Sequence, residues 1–117
     1  MPYVNVVTEK KLSTDQQLAL KSGIAAVLDT VLGKQEKGLV ITFTSADGFF
    51  RAGENAQDAA VLDIRYIGSY GLDKKQELTK KLCELMRDVL GCDPEKIIVP
   101  IAEMVSENWG RRFGNYQ

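Results

Sequence analysis

Hydrophobic positions along this chain follow two periods, and the longer of them repeats. Leu20, Ile24, Val27, Leu28, Val31 and Leu32 recur at steps of one, three and four residues, the stripe of an amphipathic helix. The same set returns at one constant offset as Leu78, Leu82, Leu85, Met86, Val89 and Leu90, and each set ends in a glycine, Gly33 and Gly91. A glycine in that place suits a left-handed C-terminal cap. Ser13 with Gln16 three residues on reads as a capping box, and Asp15 suits the positive end of a helix dipole. The spacing predicts one helix from about Thr14 to Leu32 and a second from about Asp73 to Leu90, opened by Asp73.

Strand-like stretches flank both helices. Pro2 to Thr8 precedes the first; Ala60 to Ile67 precedes the second, with Leu62, Ile64 and Tyr66 alternating with Val61, Asp63, Arg65 and Ile67. Leu39 to Thr44 and Ile97 to Met104 follow the helices, and the offset that carries Leu20 onto Leu78 also carries Leu39 onto Ile97. The order is β-α-β twice. It predicts an α+β fold: parallel strands within each half, a four-stranded sheet, both helices on one face and pseudo-twofold symmetry. The other sheet face would carry Val61 and Ile67 interrupted by Asp63 and Arg65, the pattern of a partly polar subunit interface. A monomeric ferredoxin-like module with a solvated or ligand-binding second face fits the same alternation. Ser45 to Asp58 is the longest irregular stretch, with Phe49-Phe50-Arg51 between Gly48 and Gly53, and has room for a short hairpin. No linker or low-complexity tract interrupts the chain, so residues 1–117 read as one domain.

Composition works mainly by exclusion. A chain of 117 residues, 44% hydrophobic and 26% charged with a net charge of -1, is large enough for one core that oligomerisation would help. There is no basic excess to suggest nucleic acid, and no apolar run of membrane-spanning length. No leader precedes the first strand, so the expected location is cytoplasmic, with unconventional secretion left open. With no histidine and no Cys-x-x-Cys, zinc sites and histidine-based catalysis lack their usual groups, and no cofactor is expected. Cys83, inside a helical pattern beside Leu82, reads as a structural thiol rather than half of a disulfide with Cys92.

What chemistry remains centres on the start. A small residue after the initiator allows Met1 to be trimmed, which would leave Pro2 with a free secondary amine. Apolar neighbours disfavour its charged form, and a neutral amine in a pocket is a general base. The plain alternative is a proline opening an edge strand, where its missing N–H costs nothing.

The tandem repeat, the Met1-Pro2 start, Leu32-Gly33-Lys34 after the first helix, Ile67-Gly68 after the third strand and Asn108-Trp109-Gly110 near the end together resemble the macrophage migration inhibitory factor family of the tautomerase superfamily, which includes D-dopachrome tautomerase. The resemblance covers nearly the whole chain. It implies a homotrimer with a pocket at each subunit boundary, and a keto–enol tautomerase of phenylpyruvate-like 2-oxo acids or dopachrome. Pro2 matches the family's catalytic base, Lys34 the lysine that holds the substrate carboxylate, Ile67 the residue whose backbone N–H assists binding, and Trp109 a rim aromatic. Two departures stand out. The tyrosine and asparagine that many members present to the neighbouring subunit's pocket are replaced by Ile98 and Pro100, which have no side-chain donor. A hydrogen bond to a charged group is worth roughly 1.5–3 kcal/mol, so their loss matters unless Arg51, Arg111 or Arg112 compensates. The Arg111-Arg112 pair makes the rim more cationic than the family's asparagine-glycine. Pro100 also cannot donate to a ladder, so the fourth strand should be an edge or bulge there. Two other functions fit the resemblance: a superfamily decarboxylase, hydratase or dehalogenase of small carboxylic acids, and a non-enzymatic signalling or binding protein with a protein receptor. Arg65 is more simply explained as a partner of Asp63.

Overall fold

The computed structural model describes residues 2–116, so the expectation that Met1 is removed concerns a residue outside those described. In chain order the elements are β1 (Pro2–Thr8), α1 (Thr14–Leu32), β2 (Val40–Ser45), β3 (Phe50–Arg51), β4 (Glu54–Asn55), β5 (Ala60–Ile67), α2 (Leu72–Leu90), β6 (Ile97–Ile98), β7 (Ile101–Met104), β8 (Gly110–Arg111) and β9 (Gly114–Asn115). Strands β2, β1 and β5 lie side by side, and β6 and β7 share the far edge of β5. β1 and β2 run parallel, as do β5 with β6 and β7, while β1 and β5 meet antiparallel. Each half is therefore a β-α-β unit, because parallel neighbours need a crossover and the helix supplies it.

The helix ends follow their local chemistry. Ser13 Oγ accepts from the Gln16 N–H at 3.1 Å while Gln16 Oε1 accepts from the Ser13 N–H at 2.9 Å, the reciprocal pair that starts α1. α1 and α2 end at Gly33 and Gly91 with φ of 70° and 72°, the left-handed geometry that glycine adopts without steric cost. At the start of α2 the expectation shifts slightly. The cap is Gly71, with no side-chain bond, and Asp73 sits inside the first turn, where its charge still suits the dipole.

The core lies between the sheet and the two helices. Leu20, Ile24 and Leu28 of α1 meet Leu78, Leu82 and Met86 of α2 over Val4, Val6, Leu62, Ile64 and Tyr66, all fully buried. These strand residues are the even-numbered set, so the odd-numbered set forms the face away from the helices. There Asn5 Oδ1 accepts from Thr42 and Thr44, and Arg65 pairs with Asp63 at 3.1 Å, as expected for that arginine.

The fourth strand breaks where Pro100 falls. Ala60 pairs with Ile97 and Ile64 with Ile101, the same offset on both sides of the gap. No residue is inserted, so the strand is an interrupted edge rather than a bulge. Pro100 has no N–H, yet its carbonyl still accepts from Ile64 at 3.0 Å. The stretch between Ser45 and Asp58 holds the hairpin β3–β4. A second hairpin, β8–β9, was not foreseen. Both turn through two consecutive positive-φ residues, Ala52-Gly53 in the first and Arg112-Phe113 in the second. Neither Arg nor Phe is a residue that such a turn favours. None of the described helices is long and apolar enough to cross a membrane.

Candidate active site

Three segments converge at one corner of the sheet. Pro2 opens β1, buried, and lies opposite Tyr66 in the β1–β5 pairing. Ile67 follows Tyr66 at the end of β5. Lys34 arrives from α1: the Gly33 N–H bonds Asp29 O at 2.9 Å and the Lys34 N–H bonds Leu28 O at 3.2 Å, so the chain turns sharply off the helix. That turn carries the Lys34 ammonium to the Ile67 carbonyl, 2.7 Å away. The structure thus brings Pro2, Lys34 and Ile67 together, three of the residues singled out in the sequence.

Lys34 has no carboxylate partner among the described residues; its surroundings are aromatic. Its Nζ lies 5.8 Å from the ring centre of Tyr66 and 5.9 Å from that of Tyr70, within cation–π range. The two rings pack edge to face, 5.4 Å apart and 85° inclined. The Tyr70 hydroxyl donates to Leu32 O at 2.9 Å, satisfying a carbonyl in the last turn of α1. Gly68 borders the same ammonium, since a Cβ there would stand 3.8 Å from Nζ. Gly68 also lines a cavity of about 580 Å³ with Ile67, Ser69, Glu103, Met104, Val105 and Ser106. An unpaired cation beside an open cavity of this size is suited to a small anion.

Glu103 ties the corner together. Its Oε2 accepts from the Tyr66 hydroxyl at 2.9 Å and from the Tyr70 N–H at 2.7 Å, and its Oε1 from Lys75 at 3.3 Å. The Tyr70 N–H, then the Tyr66 hydroxyl, with help from Lys75, hold the Glu103 carboxyl below its ordinary value of 4.5. Burial, and then the bond to Glu103, raise the Tyr66 hydroxyl above its ordinary 10.0. At neutral pH Glu103 is ionised and Tyr66 protonated, so neither is poised to exchange a proton. Tyr66, Tyr70, Lys75 and Glu103 were missed in the sequence. The available signal was a tyrosine on the inward phase of a strand, because a buried phenol needs a polar partner.

The remaining expected site residues lie elsewhere in the chain. Trp109 and Arg111 belong to the second hairpin, where Trp109 O accepts from the Tyr116 N–H at 3.1 Å and Arg111 donates to the Tyr116 hydroxyl at 2.6 Å. Arg112 is exposed on its turn, and Arg51 is exposed on β3. That second hairpin is rooted just beyond the cavity-lining Met104, Val105 and Ser106. Ile98 pairs with Val61, five residues along β5 from Tyr66 and so roughly 17 Å away along the strand. Ile98 and Pro100, both exposed, do not join Pro2 and Lys34 within one chain. The thiols of Cys83 and Cys92 are both free, and burial pushes each up, away from the reactive thiolate.

The family model described as macrophage migration inhibitory factor (MIF) matches residues 1–114. The fold is similar to that of Leishmania major MIF2 at 20% identity, with a TM-score of 0.87 over 99% of this chain and 97% of that one. It is also similar to a member of the cis-3-chloroacrylic acid dehalogenase family at 17% identity, with a TM-score of 0.85 over 98% of this chain and 83% of that one. A fused 4-OT described as an asymmetric trimer matches at 16% identity, with a TM-score of 0.86 over 97% of this chain and 94% of that one. No curated protein sequence matches the chain.

Proposed function

Because the chain belongs to the macrophage migration inhibitory factor family, we propose that it is a keto–enol tautomerase of 2-oxo acids, with phenylpyruvate as the model substrate, Pro2 as its base and Lys34 as its carboxylate anchor. The observation that carries this is the Lys34 ammonium, unpaired among the described residues and 2.7 Å from the Ile67 carbonyl, on the strand position next to the cross-strand partner of Pro2. A carboxylate set on Lys34 would bring the adjacent carbonyl and its α-carbon towards the start of β1. With Met1 gone, the Pro2 nitrogen has a lone pair, and apolar surroundings would favour the neutral amine. In the enol-to-keto direction that nitrogen takes the enol hydroxyl proton and returns a proton to the neighbouring carbon. The bonds change without oxidation or reduction, so no cofactor is required. Donors near the substrate oxygen, the Ile67 N–H among them, stabilise the intervening enolate.

The functional unit in this proposal is a homotrimer, which covers the sheet face opposite the helices and brings Ile98 and Pro100 of one chain to the pocket of the next. Trp109 forms the rim, and Arg111 or Arg112 supplies a second cation in place of the absent donors. A receptor-binding role without turnover is the second proposal, favoured by those donorless positions. Against dehalogenase-like chemistry, Arg65 is already engaged by Asp63 on the face away from the helices.

The test is intact mass, to establish that Met1 is absent, followed by phenylpyruvate ketonisation by the trimmed protein and its Pro2→Gly variant. Turnover that depends on Pro2 supports the tautomerase. Inactivity of a protein with Pro2 exposed leaves the binding role.

A further inference from the structure

Among the described residues, Lys34 is held without being neutralised. A long, flexible ammonium side chain that must await an anion faces two costs: disorder if nothing holds it, and loss of its charge if a carboxylate does. Here two aromatic rings and one carbonyl hold it, and a carboxylate stands behind the rings. We propose that Glu103 is a positioning residue that sets Lys34 through Tyr66 and Tyr70, and thereby sets affinity for the substrate's carboxylate rather than the rate of proton transfer.

The geometry is a short relay. One oxygen of Glu103 receives both the Tyr66 hydroxyl and the Tyr70 N–H, fixing one ring at its tip and the other at its backbone. The far end of Tyr70 is fixed by its hydroxyl on Leu32 O, two residues before Lys34. The second Glu103 oxygen is anchored by Lys75 of α2. A single carboxylate therefore joins β5, β7, the turn at Tyr70 and α2 around one ammonium.

The other half of the molecule argues that this network is not needed merely to close such a corner. The strand pair Tyr66 and Glu103 is matched in the first half by the pair Thr8 and Ser45, in the same parallel register. Leu12 and Gln17 are the repeat counterparts of Tyr70 and Lys75. At that corner Thr8 simply donates to the Lys10 carbonyl at 2.6 Å. Among the described residues, the Glu9 carboxylate beside it accepts only a backbone N–H, that of Asp58 at 3.0 Å, and no tyrosine is tied to it, so the tyrosine–glutamate–lysine set at the other end answers a demand other than folding. Lys34 is the group that demand serves.

The link to a carboxylate substrate rests on the tautomerase proposal; the positioning of Lys34 does not. The test compares trimmed wild-type protein with Glu103→Ala, Glu103→Gln and Tyr70→Phe, reading KM and kcat for phenylpyruvate. It also reads the Lys34 ammonium signal in a nitrogen-edited spectrum of unliganded protein at low temperature, assigned by its absence in Lys34→Ala. Glu103→Ala should raise KM about tenfold with kcat within about twofold, since a pre-ordered binding group is lost and the base is untouched. The ammonium signal should disappear by faster exchange. Glu103→Gln, whose amide oxygen can still accept from Tyr66 and Tyr70, should restore most of both, and Tyr70→Phe should fall between. Unchanged KM and ammonium signal in folded Glu103→Ala would overturn the proposal; should that variant not fold, the same result in Tyr70→Phe would do so. A fall in kcat at constant KM would overturn it too. Wild-type KM in Lys34→Ala, with the ammonium signal still lost in Glu103→Ala, would remove the carboxylate role while the positioning stands.

Discussion

After α1 the chain turns at Gly33 with φ 70° and sends Lys34 across to the end of β5; after α2 it turns at Gly91 with φ 72° and tucks Cys92, 5% exposed, into the core. The backbone hardware of the two corners is nearly the same. In both, the glycine N–H bonds the carbonyl four residues back at 2.9 Å, and the next N–H reaches one residue further still. What differs is the side chain that follows the glycine and the strand ends that receive it. One corner offers an ammonium with no carboxylate partner among the described residues, two phenols packed edge to face and a hydrogen-bonded carboxylate. The other offers a buried thiol, a threonine and a serine, with Asp58, Lys10 and Glu9 near enough to act on the thiol. A repeated fold thus supplies two equivalent turns, and the groups set around them differ.

The sharpest way to break that comparison is to remove the base from the Lys34 corner. Pro2→Gly should lower kcat/KM for phenylpyruvate by about 10²–10⁴, the usual span for a general base. The matched change at the other corner is Ala60→Gly, at the repeat counterpart of Pro2. Its expected outcome is unchanged turnover per folded molecule, and comparable losses in the two variants would deny the asymmetry. Next comes Lys34→Ala. A hydrogen bond to a charged group contributes about 1.5–3 kcal/mol, so kcat/KM should fall about 10- to 100-fold, mostly through KM. Cys92→Ala should stay within about twofold of wild type in the same assay.

The halves were legible in the sequence because each carries its own punctuation. The Ser13 and Gln16 capping box and Gly33 delimit α1 at the residues the spacing predicts, and the internal repeat carries the assignment to α2. The meeting of Pro2, Lys34 and Ile67 was anticipated through family resemblance, not through any local pattern. Glu103 was not anticipated at all. Its partners lie 28 to 37 residues away in sequence, and its register against Tyr66 is set across the break at Pro100. The second hairpin stayed hidden for a different reason: Arg112 and Phe113 take positive φ without the glycine or asparagine that announces such a turn.

A stability measurement sharpens the comparison where activity cannot. Gly33→Ala and Gly91→Ala each force a left-handed conformation on a residue with a Cβ, and in both places that Cβ meets nothing within 4 Å. The steric environment is equal, so each should cost about 1–2 kcal/mol in chemical denaturation. Only Gly33→Ala should also raise KM, because it moves the peptide from which Lys34 departs. A KM effect of Gly91→Ala would mean that the corners communicate.

The smallest effect is the pH dependence of stability, and it too is one-sided. Glu103 has a folded value lowered from 4.5, so its contribution is complete above that ordinary value and is lost as pH falls through the lowered one. Tyr66 has a value raised above 10.0, so its contribution is complete below that and is lost as pH rises through the raised one. The two groups share one hydrogen bond, which therefore survives the whole neutral range and weakens at both extremes. Thr8 and Ser45, their counterparts, do not titrate. Glu103→Gln should flatten the acid limb of stability against pH, measured by denaturant midpoint. It should leave the neutral plateau close to wild type, because the amide oxygen still accepts from Tyr66. Ser45→Ala should alter neither limb. Should Glu103→Gln lose as much stability in acid as wild type does, other carboxylates govern that limb, and the difference between the corners is confined to what each one binds.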